Sequence, residues 1–220
     1  MMDVVSEMTE APASTAAPGQ ADSPDGERIG ERIGGRIRAL RAERRLSLDG
    51  LAARSGVSRS AISVIERGES SPTAVLLEKL AGGLDVPLAS LFDTDVAGPR
   101  PVARRADQPR WRDPQSGYLR RNVSPPASAS PIRIVEVEFP PGAHVTYEAV
   151  GRDTVVHEQI WCLAGTIAVT VGDDRHDLGD GDCLAFVLDG PVAFHNPGTV
   201  DARYAVVVTS QPVPGRGPGG

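Results

Sequence analysis

The sequence predicts two domains of different class, a small all-α domain followed by an all-β domain. From Ile33 to Phe92 the apolar residues recur at spacings of three and four, the period of amphipathic helices. From Ile132 onward the period drops to two and β-branched residues dominate, as in half-buried strands. Turn signals punctuate that second half at Pro140-Pro-Gly142, Gly165, Gly172, Gly179-Asp-Gly-Asp182, Asp189-Gly-Pro191 and Asn196-Pro-Gly198. Six or more short strands between such turns predict a sandwich or barrel. The boundaries expected are a disordered acidic tail at 1–30, a helical domain at 31–94, a linker at 95–100, a β domain at 101–212 and a short tail at 213–220.

Taken in chain order, residues 1–30 are rich in Ala, Pro, Ser and acidic side chains and lack apolar periodicity, which predicts a tail. Ile33, Ile37 and Leu40 form the stripe of a first helix that also carries Arg36, Arg38, Arg41, Arg44 and Arg45. Ser47 is placed to cap a second helix, whose buried side is Leu48, Leu51 and Ala52 and which ends at Ser55-Gly56. Ser58 caps a third, with Ile62 and Ile65 on its inner face and Gly68 as its stop. Pro72 opens a fourth, with Leu76, Leu77, Leu80, Ala81 and Leu84, and Pro87 a last one, with Leu88, Leu91 and Phe92 turned inward. Five short helices of this kind bury one modest core.

The second and third helices meet across a turn of the length that a helix-turn-helix requires. On the third, Arg59, Ser60 and Ser63 lie away from the isoleucines, where short polar and basic side chains can reach the edges of bases in a groove. The stretch Gly56 to Thr73 therefore reads as a DNA probe.

Residues 33–92 resemble the helix-turn-helix domain of the XRE family, the phage-repressor-like bacterial regulators. The resemblance is carried by Arg41-Ala-Glu-Arg-Arg-Leu-Ser-Leu-Asp-Gly-Leu-Ala52, Gly56-Val-Ser58, Ile62-Ser-Val-Ile-Glu-Arg-Gly68, Pro72 and Leu84-Asp-Val-Pro-Leu88. It implies a five-helix domain in which Arg41 and Glu66 form a structural ion pair. It also implies that Arg59, Ser60, Ser63 and Val64 face bases, with Arg67 and Ser47 closer to phosphates, and the cap Ser58 is counted with the DNA-binding residues. The expected partner is a double-stranded operator, an inverted repeat bound by a homodimer.

The formal charge of −6 does not exclude this. Residues 33–92 carry nine basic and six acidic side chains, a net of +3, whereas residues 131–210 carry four and twelve, a net of −8. Local charge sets phosphate affinity, and two helical domains acting together double it. The start Met-Met-Asp-Val lacks the basic and apolar regions of a signal peptide, and no apolar run is long enough to span a bilayer, so a cytoplasmic protein with no membrane partner is expected. Cys162 and Cys183 then read as core thiols, with a redox pair as the alternative.

In the second half, Asp113-Pro114 and Ser116-Gly117 separate two short runs in the manner of a hairpin, around Pro109-Arg-Trp-Arg112 and Gly117-Tyr-Leu-Arg-Arg121. Ile132 to Phe139 and Thr166 to Val171 alternate, and Ala205 to Thr209 is a buried-type run. The order of Pro141-Gly142, Glu158, Gly165, Leu178-Gly-Asp-Gly-Asp182 and Asn196-Pro-Gly198 resembles the two blocks of the cupin family, a double-stranded β-helix, over residues 101–210. An XRE domain joined to a cupin implies a transcriptional regulator.

Metal-binding cupins use two histidines one residue apart, a glutamate shortly after, and a later histidine. Glu158 holds the glutamate position, but the first two positions fall within Gly151-Arg-Asp-Thr154 and the last on Val192. A lone carboxylate does not hold a transition metal, so no metal and no cofactor are expected. His157 and His195 point off the inward face by alternation, His176 sits in an expected turn, and His144 on a loop could supply a rebuilt site with Glu158. Alternation from Glu158 and Val192 lines the barrel with Ile160, Cys162, Phe194 and Asn196, either a solid core or a pocket for a small effector. Tyr147 and Trp161 have no assignable place. Two other function classes stay open at this point: a cupin enzyme with an accessory DNA-binding head, and an antitoxin-like interaction protein.

Overall fold

The computed structural model describes residues 24–93, 101–126, 130–148 and 150–212. Four α-helices come first: α1 (Pro24–Glu43), α2 (Leu48–Ser55), α3 (Arg59–Glu66) and α4 (Ala74–Gly83). The segment read as the last helix is a single 3-10 helix, Leu88–Phe92, because five residues between Pro87 and the extended Asp93 leave room for little more than one turn. The structure also corrects the first boundary: α1 begins at Pro24, so residues 24–30 are helical, and Ile29 joins the core. The rest of the expected tail, the linker and the tail at 213–220 lie outside the described residues.

The caps explain why the helices stop where they do. Ser47 and Ser58 accept hydrogen bonds from Gly50 N (3.0 Å) and Ala61 N (3.2 Å). Gly56 ends α2 in the left-handed region (φ 69°), its N–H on Ala52 O at 2.9 Å. α3 buries Ile62 and Ile65 against α1, and Gly34 is what lets α1 come so close: a Cβ at that position would sit 2.1 Å from the carbonyl oxygen of Ile65.

The β half consists of β1 (Arg110–Arg112), β2 (Leu119–Asn122), β3 (Arg133–Phe139), β4 (His144–Tyr147), β5 (Thr154–Ala164), β6 (Ile167–Val171), β7 (Asp174–Leu178), β8 (Cys183–Val187), β9 (Val192–His195) and β10 (Ala202–Pro212). They form a six-stranded sheet in the order β1-β2-β3-β10-β5-β8 and a four-stranded sheet in the order β4-β9-β6-β7, with every pairing antiparallel. Val135, Val137, Val156, Ile160, Cys162, Ile167, Val169 and Val208 turn into the space between the sheets. His176 lies on β7, not in a turn. Cys183 is exposed on β8 opposite Trp161, so the core-thiol reading holds for Cys162 and not for Cys183.

The two halves are joined by polar contacts from α4 and the loop that follows it. Asp113, buried beneath β1, accepts the N–H of Ala74 at 2.8 Å and so caps α4 from the β domain. Asp85 Oδ1 accepts from Asp153 N (3.0 Å), Thr154 N (3.1 Å) and Thr154 Oγ1 (2.9 Å). Arg152 donates to Val86 O at 2.7 Å and pairs with Glu78 of α4, both side chains almost fully buried. Gly82 makes room for Val150, whose Cγ1 would lie 2.4 Å from a Cβ there.

Candidate nucleic-acid interface and barrel cavity

α3 stands on α1 and α2, while α1, α4 and the 3-10 helix meet the β half. The N-terminal turn of α3 is thereby left open, and Leu48, Arg59, Ser60 and Ser63 line a shallow groove there. Arg59 is 66 % exposed and, among the described residues, pairs with Asp49 at 3.5 Å, a surface pair of negligible strength. Ser60 is exposed and its hydroxyl lies 3.2 Å from that of Ser58, while Ser63 and Val64 are half-buried lower on the same helix. Arg67 is committed differently: its guanidinium donates to both oxygens of Glu69 (2.6 and 2.7 Å) and to Ser63 Oγ (2.5 Å). Arg41 grips Glu66 with two hydrogen bonds, 2.7 and 2.8 Å, and donates a third to Leu46 O at 2.9 Å, tying α1 to the end of α3. This surface offers an exposed guanidinium, only weakly paired with Asp49, and serines on one helical turn, which is what hydrogen bonding to base edges or phosphates needs.

Inside the β half, the interior is a cavity of about 50 Å³. Of the residues expected to line it, Glu158, Val192 and Phe194 do. Ile160, Cys162 and Asn196 do not. They face inward but lie where the sheets close on each other, fully buried in solid packing. Asn196 is a structural tie: its Nδ2 donates to Phe139 O and Val200 O, both at 2.8 Å, and its Oδ1 accepts from Gly198 N at 2.8 Å.

The rest of the wall was not foreseen. Tyr118 and Arg120 come from the hairpin, Tyr147 from β4, Tyr204 from β10, and Glu78, Leu88 and Ala89 from the helical domain. Tyr118, just before β2, and Arg120 within it lie on one side by alternation, and Arg120 pairs in register with the buried Trp111 of β1. All three tyrosines, three of the four phenylalanines and one of the two tryptophans form a continuous run of ring contacts, Phe92–Trp111–Tyr118–Phe139–Tyr204–Phe194–Tyr147. It leads from the helical domain into the cavity.

The electrostatics of this interior are unusual. Burial, reinforced by the nearby charge of Glu78 and opposed by Arg120 and Arg152, pushes the Glu158 carboxyl up to about 7. Burial likewise raises the phenols of Tyr118, Tyr147 and Tyr204, so all three remain O–H donors, and the first two hydroxyls lie 3.1 Å apart.

The donor set does not fit a metal. Among the described residues, no group of three or more His, Cys, Asp or Glu side chains comes together to hold one. His144 is an exposed residue of β4, paired in register with His195, and does not join Glu158. His157 is exposed, and Trp161 stands outside at 49 % exposure. The segment Gly151–Thr154, where metal-binding cupins carry two histidines, is given over to the contacts with Glu78 and Asp85 that join the domains. Among the described residues, no helix is long and apolar enough to cross a membrane.

Comparison with known proteins agrees with this division. Residues 37–91 match the helix-turn-helix family HTH_3, and residues 135–208 match the cupin domain family Cupin_2. The HTH-type transcriptional regulator SutR of Escherichia coli (strain K12) is 26 % identical over 168 residues, 76 % of this chain and 89 % of that one. The HTH-type transcriptional regulator SlrR of Bacillus subtilis (strain 168) is 42 % identical over 65 residues, 29 % of this chain and 43 % of its own. The crystal structure of an HTH_3 family transcriptional regulator from Vibrio cholerae superposes with a TM-score of 0.66 at 25 % identity, covering 83 % of this chain and 97 % of that one. The chain thus unites an XRE-type helix-turn-helix domain of the HTH_3 family with a C-terminal cupin domain of the Cupin_2 family.

Proposed function

We propose that this protein is a sequence-specific DNA-binding transcriptional regulator that acts as a cytoplasmic homodimer and has no catalytic activity of its own. The observation that carries the reading is the open N-terminal turn of α3, where Arg59 and Ser60 stand exposed on the face left clear by the β domain. In this reading Arg59, Ser60, Ser63 and Val64 meet base edges in the major groove, while Ser47, Ser58 and Arg67 meet phosphates. The relatives named as regulators and repressors support the same reading.

Dimerisation is assigned to the cupin half. Its support is an apolar outer face on the six-stranded sheet, where Ile134 on β3, Trp161 on β5 and Val187 on β8 are exposed. A single helical domain with net charge +3 is a weak binder, and two of them on an inverted repeat, one helical turn apart, supply the missing phosphate contacts. The cavity is assigned to a small effector bound without metal. Footprinting of the full-length protein on the upstream regions of its own gene neighbourhood tests the reading. A protected inverted repeat is the expected result, and no protected site at any protein concentration would overturn it.

A further inference from the structure

We propose that the barrel cavity is a site for a short-chain carboxylate held by Arg120 and contacted by both domains, an inference that rests on the effector reading above. The starting point is an arginine without an anion. Arg120 is only 6 % exposed, and among the described residues it forms no ion pair. Its Nε has no hydrogen-bond acceptor, and its guanidinium lies over the Phe92 ring at 4.9 Å from the centroid. A buried charge in that condition is costly, and a ring face compensates it far less than a carboxylate does. The neighbouring buried cations are provided for: Arg121 pairs with Glu136, and Arg152 with Glu78.

Glu158 lines the same cavity and does not take the vacant role, since no ion pair joins it to Arg120. The groups that face it are Glu78 from α4, Arg120 from β2, Arg152 from the loop before β5 and Tyr204 from β10. Burial and Glu78 keep its carboxyl protonated up to about 7, so it leaves the charge of Arg120 uncompensated. In that form it is a hydrogen-bond donor. Tyr204, which lines the same cavity and is kept protonated by burial, adds a second. A cation and two O–H donors around one space suit the two oxygens of a carboxylate.

The size of the space narrows the class. A cavity of about 50 Å³ has room for roughly four water-sized atoms, given the 10–15 Å³ that one requires. That is a carboxylate with one or two methylenes, whose apolar end would lie against Val137, Phe139, Val145 and Phe194. Amines are disfavoured by Arg120, and dicarboxylates because, among the described residues, no second unpaired cation lines the cavity. Because Glu78, Leu88 and Ala89 belong to the helical domain, such a ligand touches both halves. It would therefore favour the docked arrangement over any in which they separate.

The test is calorimetric titration of the full-length protein with propionate, propionamide and propylamine, at about pH 6 and about pH 8, with operator binding measured on the same preparation. Propionate alone should bind, and less tightly at the higher pH, where ionised Glu158 repels it. Arg120→Gln should weaken binding by about tenfold or more, and Arg120→Lys by less. Glu158→Gln, which keeps the shape of the side chain, should remove the pH dependence while leaving the fold intact. Equal binding of propylamine, or Arg120-independent binding of propionate, would overturn the proposal. So would no binding of any probe, and intact operator binding would then leave the DNA-binding reading standing. Arg120-dependent binding of propionate without any operator binding would uphold the site and overturn the regulator.

Discussion

Arg59 and Arg120 are both guanidinium groups without a strong partner among the described residues, and their surroundings could hardly differ more. Arg59 stands in water on the first turn of α3, beside Asp49 at 3.5 Å. Arg120 is enclosed between Phe92 and the cavity. Water solvates the first at no cost, so its freedom says only that it is available. The second has lost its water, so its lack of an anion is a debt that a ligand can settle. The contrast teaches that an unpaired charge is informative in proportion to its burial. On the surface the case for function has to come from the motif, and in the interior it comes from the energetics.

The largest effect should come from the exposed member of the pair. Arg59→Ala is expected to leave folding unchanged, because the side chain touches little. A bidentate contact to a base contributes about 1–3 kcal/mol, and a dimer makes it twice, so operator affinity should fall by about 30-fold or more. Quantitative gel shift at fixed salt measures this. A loss below about threefold would mean that Arg59 is a solvated surface charge and that the motif misleads. The calorimetric response to propionate should be unaffected by the same substitution, which keeps the two arginines separable.

Next in size is the contact that binds the two regions together. Asp113 is 2 % exposed, and besides the N–H of Ala74 it accepts Ser116 N at 2.7 Å and Ser116 Oγ at 2.6 Å. Asp113→Ala leaves these donors without their acceptor and removes an anion from the N-terminus of α4, a cost of about 2–3 kcal/mol. Urea denaturation should show one transition in the wild type. In the variant, its midpoint should fall or the transition should split as the helical domain loosens. An unchanged curve would mean that the domains stand independently, and the cavity would then lose its helical wall.

How far these regions could be read from the sequence follows the same division. The second and third helices were legible through their capping serines, the glycine after α2 and their apolar spacings, local signals that the structure keeps, whereas the start of α1 and the 3-10 form of the last helix were not. The β half was legible as alternation, and Glu158, Val192 and Phe194 were correctly turned inward. Alternation gives a side and not a depth, however, so Ile160, Cys162 and Asn196 could not be told from cavity residues. Arg120 was hidden for a related reason: a four-residue strand is too short to fix its own parity. Glu78 was hidden by its helix, where an acid amid Leu76, Leu77, Leu80 and Ala81 reads as a solvated position. Its burial depends on Arg152, 74 residues away in sequence.

The interior also makes a prediction about pH that the exposed surface does not. The ordinary value for a glutamate is 4.5, and in the folded protein Glu158 titrates near 7. Between these values the native state binds more protons than the unfolded state, so the contribution is complete below about 4.5 and disappears as the pH rises through about 7. Its size is on the order of 2 kcal/mol after allowing for the partial access of water to the side chain. Denaturation midpoints should therefore fall across this window in the wild type and be nearly flat in Glu158→Gln. The same fall in the variant would assign the effect to other groups than Glu158.

The smallest effect sharpens the exposed side of the comparison. Arg67 has been counted with the phosphate-facing residues, but Glu69 occupies it with two hydrogen bonds and lies where it would repel a phosphate. That grip holds the Glu69 carboxyl below its usual range. In water such a pair opens readily, so DNA can compete for Arg67 at small cost. Glu69→Gln should accordingly tighten operator binding by about twofold to fivefold and steepen its dependence on salt by about one phosphate contact. Arg67→Ala should do the reverse, and the double variant should resemble Arg67→Ala alone, since Glu69 acts only through the guanidinium it restrains. Should Glu69→Gln tighten binding equally in the absence of Arg67, the carboxylate is acting directly on the DNA. Arg59 would then be the principal cationic contact of α3.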